Sequence, residues 1–149
     1  MLGNIVLTLY KGAYYLNVRG VPFIPKFLIL IIRVVFSCDI GLGVRFGKRV
    51  NLGHGGLGTV IHFMTVIGDN VSIASNVTIG GSKKKILVPI IENDVLIATG
   101  ARILGPVKVG AGSVVAANSV VLKDVPAKSL VAGVPTSIIK EYINIDDFR

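Results

Sequence analysis

Aliphatic residues recur every six positions through most of this chain. Ile67, Ile73 and Ile79 are six apart, and Ile91, Ile97, Ile103, Val109, Val115 and Val121 resume in the same register after a gap of twelve. Upstream, Ile40, Phe46 and Leu52 share the spacing, and Ile61 restarts it after an offset of nine. Neither an α-helix, with period 3.6, nor a two-faced strand, with period 2, has this pattern. It is the mark of a hexapeptide β-helix, in which each hexad forms one side of a triangular coil and its aliphatic anchor points to the axis. One coil cannot bury its own anchors, but stacked coils build aliphatic ladders inside and parallel-strand hydrogen bonds along the walls. The residue after most anchors is small (Gly41, Gly47, Gly53, Gly68, Ala74, Gly80, Ala98, Gly110, Ala116), as expected where the chain turns a tight corner. About a dozen hexads at three per coil give roughly four coils.

The repeat divides the chain. Residues 1–36 read as a helical cap of two apolar helices, over 4–18 and 23–36, separated by Gly20 and Pro22. Residues 37–125 form the β-helix, and 126–149 a C-terminal extension containing Pro135 and a return strand or short helix. Two stretches break the hexads: Gly53 to Val60, and a projecting loop at 81–90 that carries Lys83, Lys84, Lys85 and Pro89. Breaks in a solenoid are loops, where function concentrates.

Composition narrows the function. Sixteen Lys and Arg against eight Asp and Glu give a formal charge of +8, which favours anionic partners. The cations are scattered without interleaved aromatics, so nucleic acid is not an expected partner. A single cysteine, Cys38, excludes an intrachain disulfide framework and a thiolate metal cluster, in keeping with a reduced, cytoplasmic setting. No signal peptide is expected. The apolar run Phe27 to Phe36, broken by Arg33, is about half the ~20 residues that span a bilayer.

His54 and His62 are the only histidines. His54 lies in the glycine-rich break beside Gly53, Gly55 and Gly56. His62 occupies a corner position after Ile61, where a large polar group is unexpected. Gly53-His54-Gly55-Gly56-Leu57-Gly58 matches the dinucleotide fingerprint G-x-G-x-x-G, but hexads flank it where a strand and helix would have to stand.

From Asp39 to Gly81, through His54, Val71-Ser72-Ile73 and Val77-Thr78-Ile79-Gly80-Gly81, the chain resembles the hexapeptide-repeat serine acetyltransferases. Ala101-Arg102-Ile103-Leu104-Gly105, Ala111-Gly112-Ser113-Val114-Val115 and Ala132-Gly133-Val134-Pro135 extend the likeness to about residue 140. The resemblance implies a mainly β fold: a left-handed parallel β-helix of hexapeptide repeats with a short N-terminal helical segment. It implies an acetyl-CoA-dependent O-acetyltransferase in which a histidine and an aspartate fifteen residues upstream form a dyad, a spacing that His54 and Asp39 keep. A hydroxyl is a poor nucleophile, and a neutral imidazole, of ordinary pKa about 6.5, takes its proton during attack on the thioester. A carboxylate on the other ring nitrogen fixes the tautomer. His62, Gly55 and Gly56 are then candidate substrate contacts. The resemblance places coenzyme A in a groove between subunits of a homotrimer, with Gly80, Gly81, Ala98 and Ala116 at matching positions and Lys123, Lys140 and Lys83 to Lys85 as candidates for the phosphates. No metal is implied: two histidines cannot build from one copy the three-histidine zinc site of carbonic-anhydrase-like members of this fold.

The likeness has gaps. That family carries an Arg-His pair before a proline in the projecting loop, where this chain has Leu87 and Val88, and an aspartate before the catalytic histidine, where it has Gly53. Without cationic clamp and acidic partner a zwitterion is poorly held. The expected acceptor is therefore a sugar hydroxyl, small or lipid-linked, in capsule, exopolysaccharide or lipopolysaccharide synthesis, with serine as the alternative. The basic surface and apolar helix suit peripheral association with the inner membrane surface. A noncatalytic structural β-helix is the competing class.

Overall fold

A computed structural model describes residues 2–81 and 87–149, so Lys83, Lys84 and Lys85 lie outside the described residues. The hexads form a triangular parallel β-helix of very short strands. The first coil is β1 (Asp39–Ile40), β2 (Arg45–Phe46) and β3 (Asn51–Leu52), and the second is β4 (Val60–Ile61), β5 (Val66–Ile67) and β6 (Ser72–Ile73). The third is β7 (Thr78–Gly80), β8 (Ile90–Ile91) and β9 (Leu96–Ile97), and the fourth is β10 (Arg102–Leu104), β11 (Lys108–Val109) and β12 (Val114–Val115). A partial turn follows through β13 (Val120–Val121), a parallel bridge between Val109 and Val125, and β14 (Leu130–Gly133).

Strands of the same rank stack into three walls. The first is β1-β4-β7-β10-β13, the second β2-β5-β8-β11, and the third β3-β6-β9-β12-β14. Their registers align the anchors: Ile40, Ile61, Ile79, Ile103 and Val121 on the first wall, Phe46, Ile67, Ile91, Val109 and Val125 on the second, and Leu52, Ile73, Ile97, Val115 and Val131 on the third. Every rung is buried except half-buried Phe46, which packs edge-on against Tyr10 at 5.2 Å. Successive rungs of the first wall are 21, 18, 24 and 18 residues apart in sequence. The surplus over 18 is looped out at the two breaks, so the register survives both.

The small residues after the anchors have a different cause from the tight corner expected of them. At Gly41, Gly68 and Gly110 a side chain would meet the next coil: a Cβ on Gly110 would lie 2.5 Å from the Ala127 backbone nitrogen. The turn itself comes two residues later, at left-handed positions such as Asn70, Asn76, Asp94 and Asn118, with φ of 57°, 58°, 56° and 55°. Asn and Asp tolerate that region better than other side chains. Gly110→Ala therefore has to push two coils apart, and we expect it to cost about 1–3 kcal/mol, as overpacking does. An unchanged melting midpoint would show that the coils yield freely.

Two helices cap the open end: α1 (Leu2–Val18) and α2 (Ile24–Phe36). Pro25 sits in the first turn of α2, where no amide partner is lost, and left-handed Ser37 ends it. Tyr10 locks α1 to the first coil. Its buried hydroxyl donates to the Val44 carbonyl at 2.9 Å and accepts the Gly43 amide at 3.1 Å, and burial pushes its pKa up to about 12. At the other end β15 (Thr136–Lys140) turns back antiparallel on β14 and covers the last rung of the third wall.

Candidate active site

His54 occupies a short 3-10 turn, Gly53–Gly56, at the corner between the third and first walls. His54, Gly55 and Gly56 are all left-handed, with φ of 51°, 72° and 76°. Packing explains the glycines. A Cβ on Gly55 would lie 3.1 Å from the Leu2 side chain and 3.9 Å from Phe36, and one on Gly56 would lie 2.8 Å from Cys38 Sγ. The helical cap and Cys38 thus fill the back of the turn, and the imidazole is left facing solvent.

The strand that carries Asp39 is tied to this turn by backbone hydrogen bonds. The Gly58 amide donates to the Ser37 carbonyl (2.8 Å), Thr59 to Gly56 (2.8 Å), and Asp39 to Thr59 (2.9 Å). Among the described residues no hydrogen bond joins the Asp39 carboxylate to His54; its partner is Arg33 of α2, at 3.7 Å. The Arg33 side chain is 66% exposed, so the pair is weak and can be exchanged for another partner. The sequence reading missed Arg33, treating it only as a polar interruption of an apolar run. Cys38 is no nucleophile here, because burial, reinforced by the Asp39 charge, pushes its thiol pKa up to about 12.

His62 follows β4 at the corner between the first and second walls, across the first wall from His54. Its Nδ1 accepts the Met64 amide at 3.3 Å, which leaves the proton of the neutral ring on Nε2. Nε2 is thus a donor. It faces Gly81, where a Cβ would lie 3.9 Å from Nε2 and 3.4 Å from Val88 Cγ1. His62 therefore lies beside Gly81 at the start of the projecting loop, and Gly81 lies in turn beside Val88, where the family's clamp is absent.

The remaining candidates fall into two groups. Gly53, Ala74, Ala98, Ala116 and Ala132 follow the successive third-wall anchors, forming a small-residue ladder that descends from the His54 turn. Gly80 and Gly81 follow a first-wall anchor instead and lie with His62. Lys123 and Lys140 are exposed, whereas Lys108 is committed to Glu92 at 2.6 Å, a contact that raises the lysine pKa and, with the Ala111 amide, lowers that of the carboxylate. The clefts lined by Tyr10, Tyr14 and Phe46 and by Asp94, Lys128 and Ile143 include neither histidine.

Residues 89–123 match the family model described as bacterial transferase hexapeptide (six repeats). The chain is 42% identical over 139 residues to serine acetyltransferase 4 of Arabidopsis thaliana, covering 92% of this chain and 39% of that protein. The structure superposes with a TM-score of 0.91 and 38% identity on serine acetyltransferase from Brucella abortus strain S19 in complex with coenzyme A, covering 95% of this chain and 57% of the other. For Neisseria gonorrhoeae serine acetyltransferase in complex with serine the TM-score is 0.86 at 33% identity, covering 92% and 56%. The chain thus spans about half the length of the relatives it matches. These relatives are named for serine, so the expectation of a sugar acceptor in polysaccharide synthesis is corrected. That expectation rested on the missing pair at Leu87 and Val88 and on Gly53 in place of an aspartate, and a linear motif could not show that His62 arrives beside Gly81 from another coil. Residues 89–123 thus carry the hexapeptide repeat of bacterial transferases, and the chain has the left-handed β-helix fold of the serine acetyltransferases it resembles.

Proposed function

We propose that this chain transfers the acetyl group of acetyl-CoA to the hydroxyl of L-serine, with His54 as general base. The observation that carries the reading is a solvent-facing imidazole held on a left-handed turn strapped to the Asp39 strand, within a serine-acetyltransferase-like coil. His54 removes the hydroxyl proton as the oxygen attacks the thioester carbonyl. The carbon–sulfur bond breaks, and the imidazolium returns the proton to the departing sulfur, giving O-acetylserine and free coenzyme A. Asp39 exchanges Arg33 for His54 and orients the ring in the reactive complex. His62 donates from Nε2 to the acceptor's carboxylate, in place of the clamp.

The working unit in this proposal is a homotrimer. Val60, Phe63, Met64, Leu87 and Ile90 are exposed large apolar residues around the corner that carries His62. A neighbouring copy that covered them would bring its His54 corner and small-residue ladder toward His62, Gly80 and Gly81. Ala98 and Ala116 then admit the pantetheine arm closely, and Lys123 and Lys140 supply charge for the phosphates.

Thiol release from acetyl-CoA, followed with a chromogenic disulfide, tests the reading. Saturable release that depends on L-serine is expected, and His62→Ala should raise KM for L-serine about 10–100-fold with kcat largely kept, the loss typical of a hydrogen bond to a charged group. No acceptor-dependent thiol release would leave the coil as a scaffold and defeat the proposal.

A further inference from the structure

Helix α2 is apolar on two opposite sides. Pro25, Ile29, Ile32 and Phe36, spaced four, three and four apart, face the coil and α1, and all are buried or half-buried. On the far side Phe27, Leu30 and Val34 repeat the spacing, with Phe23 just before the helix. These four are 61%, 53%, 71% and 82% exposed. A helix on the surface of a water-soluble body puts polar residues there, and one that is apolar all round is covered by something.

The charges indicate what covers it. Residues 2–36 contain no Asp or Glu and four cations, Lys11, Arg19, Lys26 and Arg33. Lys26 and Arg33, seven apart, line up along one flank of the exposed stripe, and both are exposed. A second copy of the chain on this face would bring together two hairpins that hold no acidic residue, with only Asp39, already paired to Arg33 at 3.7 Å, at the edge of each. An anionic lipid surface matches both features, taking the apolar stripe into its interface and the cations among its headgroups. No helix among the described residues is long and apolar enough to cross a membrane, which fits an element lying in the interface plane.

We infer that the outer face of α2 is a docking surface for an anionic bilayer, holding the coil at the membrane as a peripheral protein. This goes beyond the acyl-transfer reading and does not depend on it. The chain has no tryptophan, so Phe27→Trp supplies a single fluorescent reporter on the stripe. With vesicles of phosphatidylcholine and phosphatidylglycerol the protein should co-sediment, and the reporter's emission should move to shorter wavelength. Phosphatidylcholine alone should do neither. Lys26→Glu should weaken binding about 10–30-fold, as a two-unit charge change at a lipid surface does. Phe27→Ser should weaken it about 10-fold or more through lost apolar burial while leaving turnover of soluble L-serine unchanged. A folded protein, by circular dichroism, that ignores anionic vesicles overturns the inference, as does equal binding to neutral ones. Lipid-free self-association abolished by Phe27→Ser would assign the face to a second copy instead. Vesicle binding without L-serine turnover would reject the serine reading alone.

Discussion

Replacing His54 with alanine should lower turnover by about 10²–10⁴-fold, the usual contribution of a positioned general base, while coenzyme A affinity stays close to that of the parent. The separation of effects follows from where the residue sits. Its side chain faces solvent at the corner above the small-residue ladder, and the turn's rear contacts come from Gly55 and Gly56 against Leu2, Phe36 and Cys38. Removing the imidazole therefore leaves the packing intact. Titration calorimetry with coenzyme A, beside kcat at saturating cofactor, separates lost chemistry from a damaged groove. Asp39→Asn should also reduce turnover, by a comparable or smaller factor, because an amide keeps the shape but not the charge that stabilises the imidazolium. Near-parental turnover in His54→Ala, with collapse in His62→Ala, would move the base to the other histidine, although the Nδ1 contact with the Met64 amide argues against it.

The second large effect concerns stability. Ile97 is fully buried in the middle of the third-wall ladder, between Ile73 and Val115. Ile97→Ala should destabilise the fold by about 2–5 kcal/mol, since the coils above and below are held by the remaining rungs and cannot collapse into the gap. A chain of this size should then melt roughly 5–20 °C lower. Lys123→Ala, an exposed control, should stay within about 0.5 kcal/mol. Thermal unfolding monitored by circular dichroism at fixed protein concentration reads both. A small shift for Ile97→Ala would mean that the ladder repacks.

Much of the coil was legible because a hexad period is local arithmetic. Ile61, Ile67 and Ile73 announce three walls in turn, and each wall's register follows once the surplus at the two breaks is looped out. The helices were legible too, from apolar content and from the stops at Gly20 and Pro22. His54 was picked out by the likeness to serine acetyltransferases and its spacing of fifteen from Asp39, and its glycine neighbours prove to be a packing requirement of the cap. The acceptor was not legible. The absence of an Arg-His pair before Pro89 suggested lost recognition of an amino acid, because side chains from other coils do not show in a linear motif.

By itself, then, the sequence determined the parallel coil, its anchors and its helical cap, since each depends on periodicity or on residues close along the chain, and its likeness to serine acetyltransferases added a candidate base. Only the tertiary structure decided which corners share a face. It set Ala98 and Ala116 under the His54 turn, moved Gly80 and Gly81 to His62, and gave Asp39 to Arg33. It also chose the inward side of α2, which the pattern left ambiguous because both sides are apolar. For the small residues the physical reason is that neighbours in a solenoid lie a coil or more apart along the chain and meet only by stacking, while Arg33 and the inward side of α2 depend on how the helix packs on the first coil.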